Sequence, residues 1–118
     1  MSENEASVVP SGAAPDGRQD RVATIVRETG ESKIAVTVNL DGTGEAEIDT
    51  PVGFLKHMLS QIARHGQIDL KVEADGDLET GSHHTVEDTA IVLGRAIDEA
   101  LGDRKGIVRM ADRTCPLD

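Results

Sequence analysis

The spacing of apolar residues alternates along this chain between the period of a strand and the period of a helix, and that alternation limits the folds open to it. Val22, Thr24 and Val26 alternate with their neighbours, and Ile34, Val36 and Val38 do so again, as two-faced strands require. "TGES" separates them as a turn. "LDGTG" carries the Asp-Gly pair of a tight hairpin, and a short third strand, "EAEI", follows, so three antiparallel strands are predicted. At "TPVGFLKHMLSQIARHG" the period lengthens. Leu55, Met58, Leu59 and Ile62 recur at i, i+3, i+4 and i+7, the apolar stripe of a helix. Thr50 is placed to cap it, Pro51 to occupy its first turn and Gly66 to stop it. His57, Gln61 and Arg64 fall opposite the stripe, and His65 lies near the negative end of the helix dipole. "IDLKVEADG" returns to period two at Ile68, Leu70 and Val72, ending at Asp-Gly. A second helix then runs from about Thr85 to Leu101, with Val86, Ala90, Leu93, Ile97 and Leu101 as its buried stripe and Gly102 as its stop. Thr85 and Asp88 have the spacing of a capping box, and Glu87 and Asp88 suit the first turn of a helix. The order β-β-β-α-β-α predicts an α+β two-layer sandwich, one sheet with both helices on one face.

Composition narrows the rest. Residues 1–20, "MSENEASVVPSGAAPDGRQD", contain no run of large apolar side chains and are expected to form a disordered acidic tail. The folded part is then a single domain over residues 21–118 of the 118-residue chain. With one Phe and no Trp or Tyr, the core must come from Val, Ile, Leu, Ala and Met. A net charge of −10 argues against nucleic acid or an anionic membrane as partner, because either needs a basic surface. Cys115 is the single cysteine, so an intrachain disulfide is excluded, which fits a reducing compartment. No secretory signal is visible at the N-terminus, and no apolar stretch approaches the roughly 18 residues of a membrane span. A cytoplasmic protein is expected.

The chemistry concentrates at "GSHHTVEDT". Two of the four histidines are adjacent, His83 and His84, with Glu87 three residues beyond the second. Imidazole and carboxylate together suit a borderline divalent ion such as Mn, Fe, Co, Ni or Zn. If the helix reaches back over the histidines, His83–Glu87 is an i, i+4 pair and His84–Glu87 an i, i+3 pair, and either spacing puts both groups on one face. Neighbouring rings point about 100° apart on a helix, so the two histidines suit two ions better than one. A helix N-terminus also disfavours imidazolium and keeps ring nitrogens free to ligate. Spacing alone leaves two readings open, metal ligands or solvated polar residues. His57 is open in the same way: a solvated side chain, or one that faces a partner subunit.

"DTPVGFLKHMLSQIARHG" together with "IDLKVEADGDLETGSHHTVEDTAIVLGRAIDEALGDRKGIVR" resembles imidazoleglycerol-phosphate dehydratase, a lyase family of histidine biosynthesis. The likeness runs from about Arg21 to Asp118. It implies a subunit of two similar halves, each of ribosomal S5 domain 2-like β-β-β-α-β-α order, of which this chain is the first. It also implies a manganese (Mn2+) enzyme, working as a large homo-oligomer, that removes water from imidazole glycerol phosphate, a small-molecule phosphate substrate, to give imidazole acetol phosphate. By position, His57 matches the histidine of the family's "DHM" helix, and His83, His84 and Glu87 match its first HHxxE; these four would be metal ligands. Glu31 matches the glutamate of a TxE motif and would be the catalytic acid/base. Asp88 would sit behind a ligating histidine and orient it. Arg109 matches the arginine of "GI-x-RFG" and would contact the substrate phosphate.

The chain also departs from the family. Lys56 stands where the family has Asp, Gly81 and Ser82 replace acidic residues before HHxxE, and "RFG" has become Arg109, Met110 and Ala111. No second HHxxE occurs in the sequence. Three readings are therefore carried: half of a dehydratase site completed by another copy, a metal-binding subunit that needs a separate second-half chain, or a non-catalytic, truncated half-domain.

Overall fold

The computed structural model describes residues 4–8, 19–76, 78 and 81–114. Seven elements follow one another: β1 (Asn4–Val8), β2 (Val22–Glu28), β3 (Ser32–Asn39), β4 (Ala46–Asp49), α1 (Gly53–Gly66), β5 (Asp69–Gly76) and α2 (His83–Leu101). The strands form one sheet in the order β1-β2-β3-β5-β4. Neighbours pair antiparallel except β4, which runs parallel to β5. Both helices pack against the sheet, α2 over β2, β3 and β5, and α1 over β4 and β5. The α+β sandwich is as expected, and from β2 onward so is the β-β-β-α-β-α order.

Two strands differ from expectation. Asn4–Val8, inside the tail predicted to be disordered, pairs with β2 from Asn4↔Glu28 to Val8↔Thr24. The unpaired backbone along the edge of β2 can be satisfied by any extended segment, so an apolar run is not required. The other tail residues, 1–3 and 9–18, lie outside the described residues, as does Cys115. The second difference is β4, which does not continue the antiparallel series from β3 but crosses to the far side of β5. Asp69 explains the crossing. Its Oδ1 accepts the N–H groups of Thr43, Gly44 and Glu45 at 3.0, 3.2 and 3.0 Å, and the Leu70 N–H donates to the Glu45 carbonyl at 2.9 Å. The Asp-Gly loop is thus pulled over β5 instead of folding back on β3. Gly42 is needed there, because a Cβ would meet the Asp69 carboxyl carbon at 2.3 Å.

The core consists of Ala23 and Ile25 of β2, Ile34, Val36 and Val38 of β3, Leu70, Val72 and Ala74 of β5, Leu59 and Ala63 of α1, and Val92, Leu93, Ala96 and Ala100 of α2. In β2 the buried set is thus Ala23 and Ile25, not Val22, Thr24 and Val26. On the other face the hydroxyls of Thr24 and Thr37 bond each other at 2.8 Å.

The helices start and turn differently from their predicted forms. α1 begins two residues after Pro51, with Val52 at its N-cap, and Thr50 Oγ1 accepts the Val52 N–H at 3.3 Å rather than capping the helix. It ends through Gln67, which takes the left-handed conformation at φ 56° where Gly66 was expected to stop it. α2 begins at His83, two residues early. Glu87 and Asp88 therefore fall in its second turn, and Thr85 is buried inside the helix instead of capping it. Among the described residues no helix is long and apolar enough to cross a membrane.

Candidate metal centre

The early start of α2 decides the geometry of the paired histidines. Both lie in its first turn, preceded by Ser82, whose side chain makes no capping bond. One helical turn brings His83 and Glu87 to the same face, with Nε2 3.0 Å from Oε2. The His84 ring stands edge-on to that of His83, with centroids 5.9 Å apart and planes at 70°. The side chain of His83 is 80% exposed and that of Glu87 55%. The donors face solvent, so a divalent ion reaches them without rearranging the core.

A borderline divalent ion fits this donor set by chemistry, imidazole nitrogen and carboxylate oxygen together, and by placement, since one face already presents both. Among the described residues no three His, Cys, Asp or Glu side chains gather as a ligand group. His57 is exposed on α1 beside exposed Lys56, on a helix carried by β4 and β5, and is not brought to His83 and Glu87.

Glu31 reaches the same end of the molecule by another route. It is exposed in the turn between β2 and β3, where its N–H donates to Thr29 Oγ1 at 3.2 Å. With Glu28, Thr29, Ser32, Lys33, Asp75 and Gly76 it lines an open hollow of about 400 Å3. The residue after it is tied to α2, for Ser32 Oγ donates to Asp88 Oδ2 at 3.1 Å. The other oxygen of Asp88 lies 3.7 Å from Nη1 of Arg27 on β2, both side chains being largely buried. Asp88 therefore joins helix to sheet. Its oxygens engage a serine and an arginine on strands β3 and β2.

Arg109 is placed elsewhere. It follows the C-terminal end of α2, exposed, and its Nη2 donates to the Arg104 carbonyl at 3.4 Å. The 19 residues of α2 put about 28 Å of helix between that end and His83. The fold of this chain thus gathers His83, His84, Glu87 and the Glu31 turn at one end, and leaves His57 and Arg109 apart from them.

Arg27, Ser32 and Gly76 were missed from the sequence. Arg27 had a readable signal: it continues the alternation of Ala23 and Ile25, so a charge stands in the inward register and demands a partner. The approach of Thr85 to Gly76, where a Cβ would lie 2.6 Å from the threonine Oγ1, left no trace in local pattern.

A sequence profile of the family described as "Imidazoleglycerol-phosphate dehydratase" matches residues 50–118. The chain is 56% identical over 102 residues to a protein of that name from Haloquadratum walsbyi, covering 86% of this chain and 49% of that protein. Over 98 residues it is 58% identical to namesakes from Magnetococcus marinus and from Thermobifida fusca, covering 83% of this chain and 50% of each. The chain spans about half the length of the curated relatives it matches. A profile match over more than half the residues, containing both histidine helices, places this chain in the imidazoleglycerol-phosphate dehydratase family.

Proposed function

We propose that this chain provides the first half of a metal-dependent site that dehydrates imidazole glycerol phosphate to imidazole acetol phosphate in histidine biosynthesis. The observation that carries the reading is the His83–Glu87 pair, 3.0 Å apart on an exposed helix turn, within a chain of this family. His83 with Glu87 would hold one divalent ion, Mn2+ in this reading, His84 would serve a second, and His57 would contribute from α1 to an ion closed by another polypeptide. A bound metal supplies Lewis-acid stabilisation of negative charge developing on the substrate ring. Glu31 takes the weakly acidic proton from the second side-chain carbon, the hydroxyl on the carbon beside the imidazole ring leaves as water, and the resulting enol takes a proton on the ring-side carbon to give the ketone. Arg109 receives the phosphate of a substrate bound between polypeptides, which accords with its distance from His83 in a single chain. The protein works in the cytoplasm as a homo-oligomer or with a separate second-half chain.

A second reading rests on the incomplete ligand group among the described residues: a metal-binding half-domain without turnover of its own. Manganese titration followed by the electron paramagnetic resonance of the free ion, with wild type and Glu87→Ala, tests the metal centre. Wild type is expected to bind, and Glu87→Ala at least tenfold more weakly. No binding by wild type would remove the metal centre. Turnover assayed on the chain with and without a polypeptide carrying the rest of a relative's length then separates the two readings.

A further inference from the structure

α2 has no side-chain cap to fix where it starts, so the position of its first turn must be set from the side. The contacts that do so are few and specific. Thr85, 1% exposed, lies so close to Gly76 at the end of β5 that its Oγ1 occupies the space of a glycine Cβ. One turn along, Asp88 takes a hydrogen bond from Ser32 at 3.1 Å and faces Arg27 at 3.7 Å. Ser32 is fixed in turn by Thr29, whose Oγ1 accepts the Ser32 N–H at 3.1 Å and lies 3.3 Å from Ser32 Oγ. The same Thr29 Oγ1 accepts the Glu31 N–H at 3.2 Å. A continuous chain of polar contacts therefore runs from the backbone of Glu31, through Thr29 and Ser32, to Asp88 on the helix that presents His83, His84 and Glu87.

We infer that Ser32 and Asp88 are positioning residues, which lock the turn bearing Glu31 to the first turns of α2 and so hold the Glu31 carboxylate in register with the His83–Glu87 face. The catalytic meaning of this lock rests on the dehydratase reading; the lock itself does not. Neither residue touches a reacting group. Both act through the backbone they fasten, and a displacement near 1 Å between a proton-transfer group and its target lowers rates by about 10²-fold. A partly buried carboxylate with two such partners also tolerates little rearrangement, since losing either leaves its charge under-solvated.

The test uses the full chain labelled with 15N, without metal, comparing wild type, Ser32→Ala, Ser32→Thr, Asp88→Asn and, as a destabilised control remote from the lock, Leu59→Ala. The signals read are the imidazole resonances of His83 and His84 and the amide of Glu31. Ser32→Ala and Asp88→Asn are expected to move all three. Ser32→Thr, which keeps the hydroxyl, restores them, and Leu59→Ala leaves them in place even though it lowers Tm. If Ser32→Ala and Asp88→Asn lower Tm but leave the histidine resonances unmoved, the side chains only stabilise the fold and the inference is overturned. Manganese titration of the same proteins separates the two levels. Resonance shifts in the variants, together with a wild-type chain that binds no manganese, uphold the lock and remove the dehydratase reading. Binding by wild type with unmoved resonances in the variants does the reverse. Where both hold, Ser32→Ala weakens manganese binding about tenfold or more, as loss of a residue supporting a metal ligand does.

Discussion

α2 meets the sheet through Thr85, Thr89, Val92, Leu93, Ala96 and Ala100, all buried, whereas α1 meets it through Leu59 and Ala63 and turns Phe54, Met58 and Ile62 outward at 74%, 43% and 44% exposure. The inner face of α2 is mostly small. Alanine and threonine let its axis approach the strands, and Thr89 donates its buried hydroxyl to the Thr85 carbonyl at 2.7 Å, so that polar group is not stranded. α1 is held by a narrow seam, Leu59 and Ala63 one turn apart, with Leu55 half-buried beside them. The helix that carries the His83–Glu87 pair is thus seated along its length, while the helix that carries His57 is seated on one edge and shows an apolar row to solvent.

The sharpest way to break this contrast is to cut the seam of α1. Leu59 is 4% exposed, and Leu59→Ala should cost about 2–5 kcal/mol. Phe54→Ser and Ile62→Ser on the same helix should each change stability by no more than about 0.5 kcal/mol. Urea unfolding monitored by circular dichroism reads all three. Comparable losses at Phe54 and Leu59 would mean that the outward row is buried in solution and that α1 is not held on one edge.

The corresponding test of α2 is enlargement. Ala96 is 0% exposed, and Ala96→Leu should cost about 1–3 kcal/mol by overpacking against the sheet. Ala90→Leu, on the exposed side of the same helix, should be close to neutral. Equal effects at the two positions would deny the close approach on which the contrast depends.

These two helices also show what was legible in the sequence. The helical period was visible in both, and so were the element order, the Gly102 stop and the spacing that pairs His83 with Glu87. The buried face was legible only in part, at Leu59 and Leu93. Reading by hydrophobicity selects the largest aliphatics, Met58 and Ile62 on α1 and Val86, Ile97 and Leu101 on α2. A helix lying on a sheet selects whatever lets the backbones approach, and here that is Ala63, Thr85, Thr89, Ala96 and Ala100. Distance along the chain hid the rest. The crossing of β4 to β5 depends on Asp69 accepting bonds from residues 24 to 26 positions earlier, and the lock on α2 joins residues 56 apart. Neither leaves a periodic signal.

Asp69 gives a smaller and pH-dependent lever on the α1 side, because it places β4, on which α1 rests. The Glu45 N–H above all, with those of Thr43 and Gly44, outweighs burial and holds the Asp69 carboxyl below its ordinary value of 3.8. A folded-state value below the unfolded one gives stability that is complete above the unfolded value and is lost as pH falls through the folded one. Asp69→Asn keeps an acceptor oxygen but loses the charge, and should cost about 1 kcal/mol near neutrality. The gap between variant and wild type should close as pH drops below 3.8. Thermal unfolding between neutral pH and pH 3 checks this; a gap independent of pH would show that the charge on Asp69 is not what fastens the loop.

The smallest stability effect is expected where the proposed chemistry is densest. Glu87 and His83 form an exposed i, i+4 pair, and such surface pairs contribute at most about 0.5 kcal/mol. Their order is also the weaker one, with the basic residue nearer the positive end of the helix dipole. Glu87→Gln should therefore leave Tm within about 2–4 °C of wild type, half the shift that 1 kcal/mol produces in a domain of this size, and leave the circular dichroism spectrum unchanged. Manganese affinity should nevertheless fall steeply, because the neutral amide is a far poorer ligand than a carboxylate for a divalent ion. A carboxylate kept at the surface for folding would give the opposite pattern, a large drop in Tm with little change in metal binding. The seated helix α2 makes the distinction readable: with its inner face and the Asp88 clasp intact, a change at Glu87 alters what the first turns present and not where they stand.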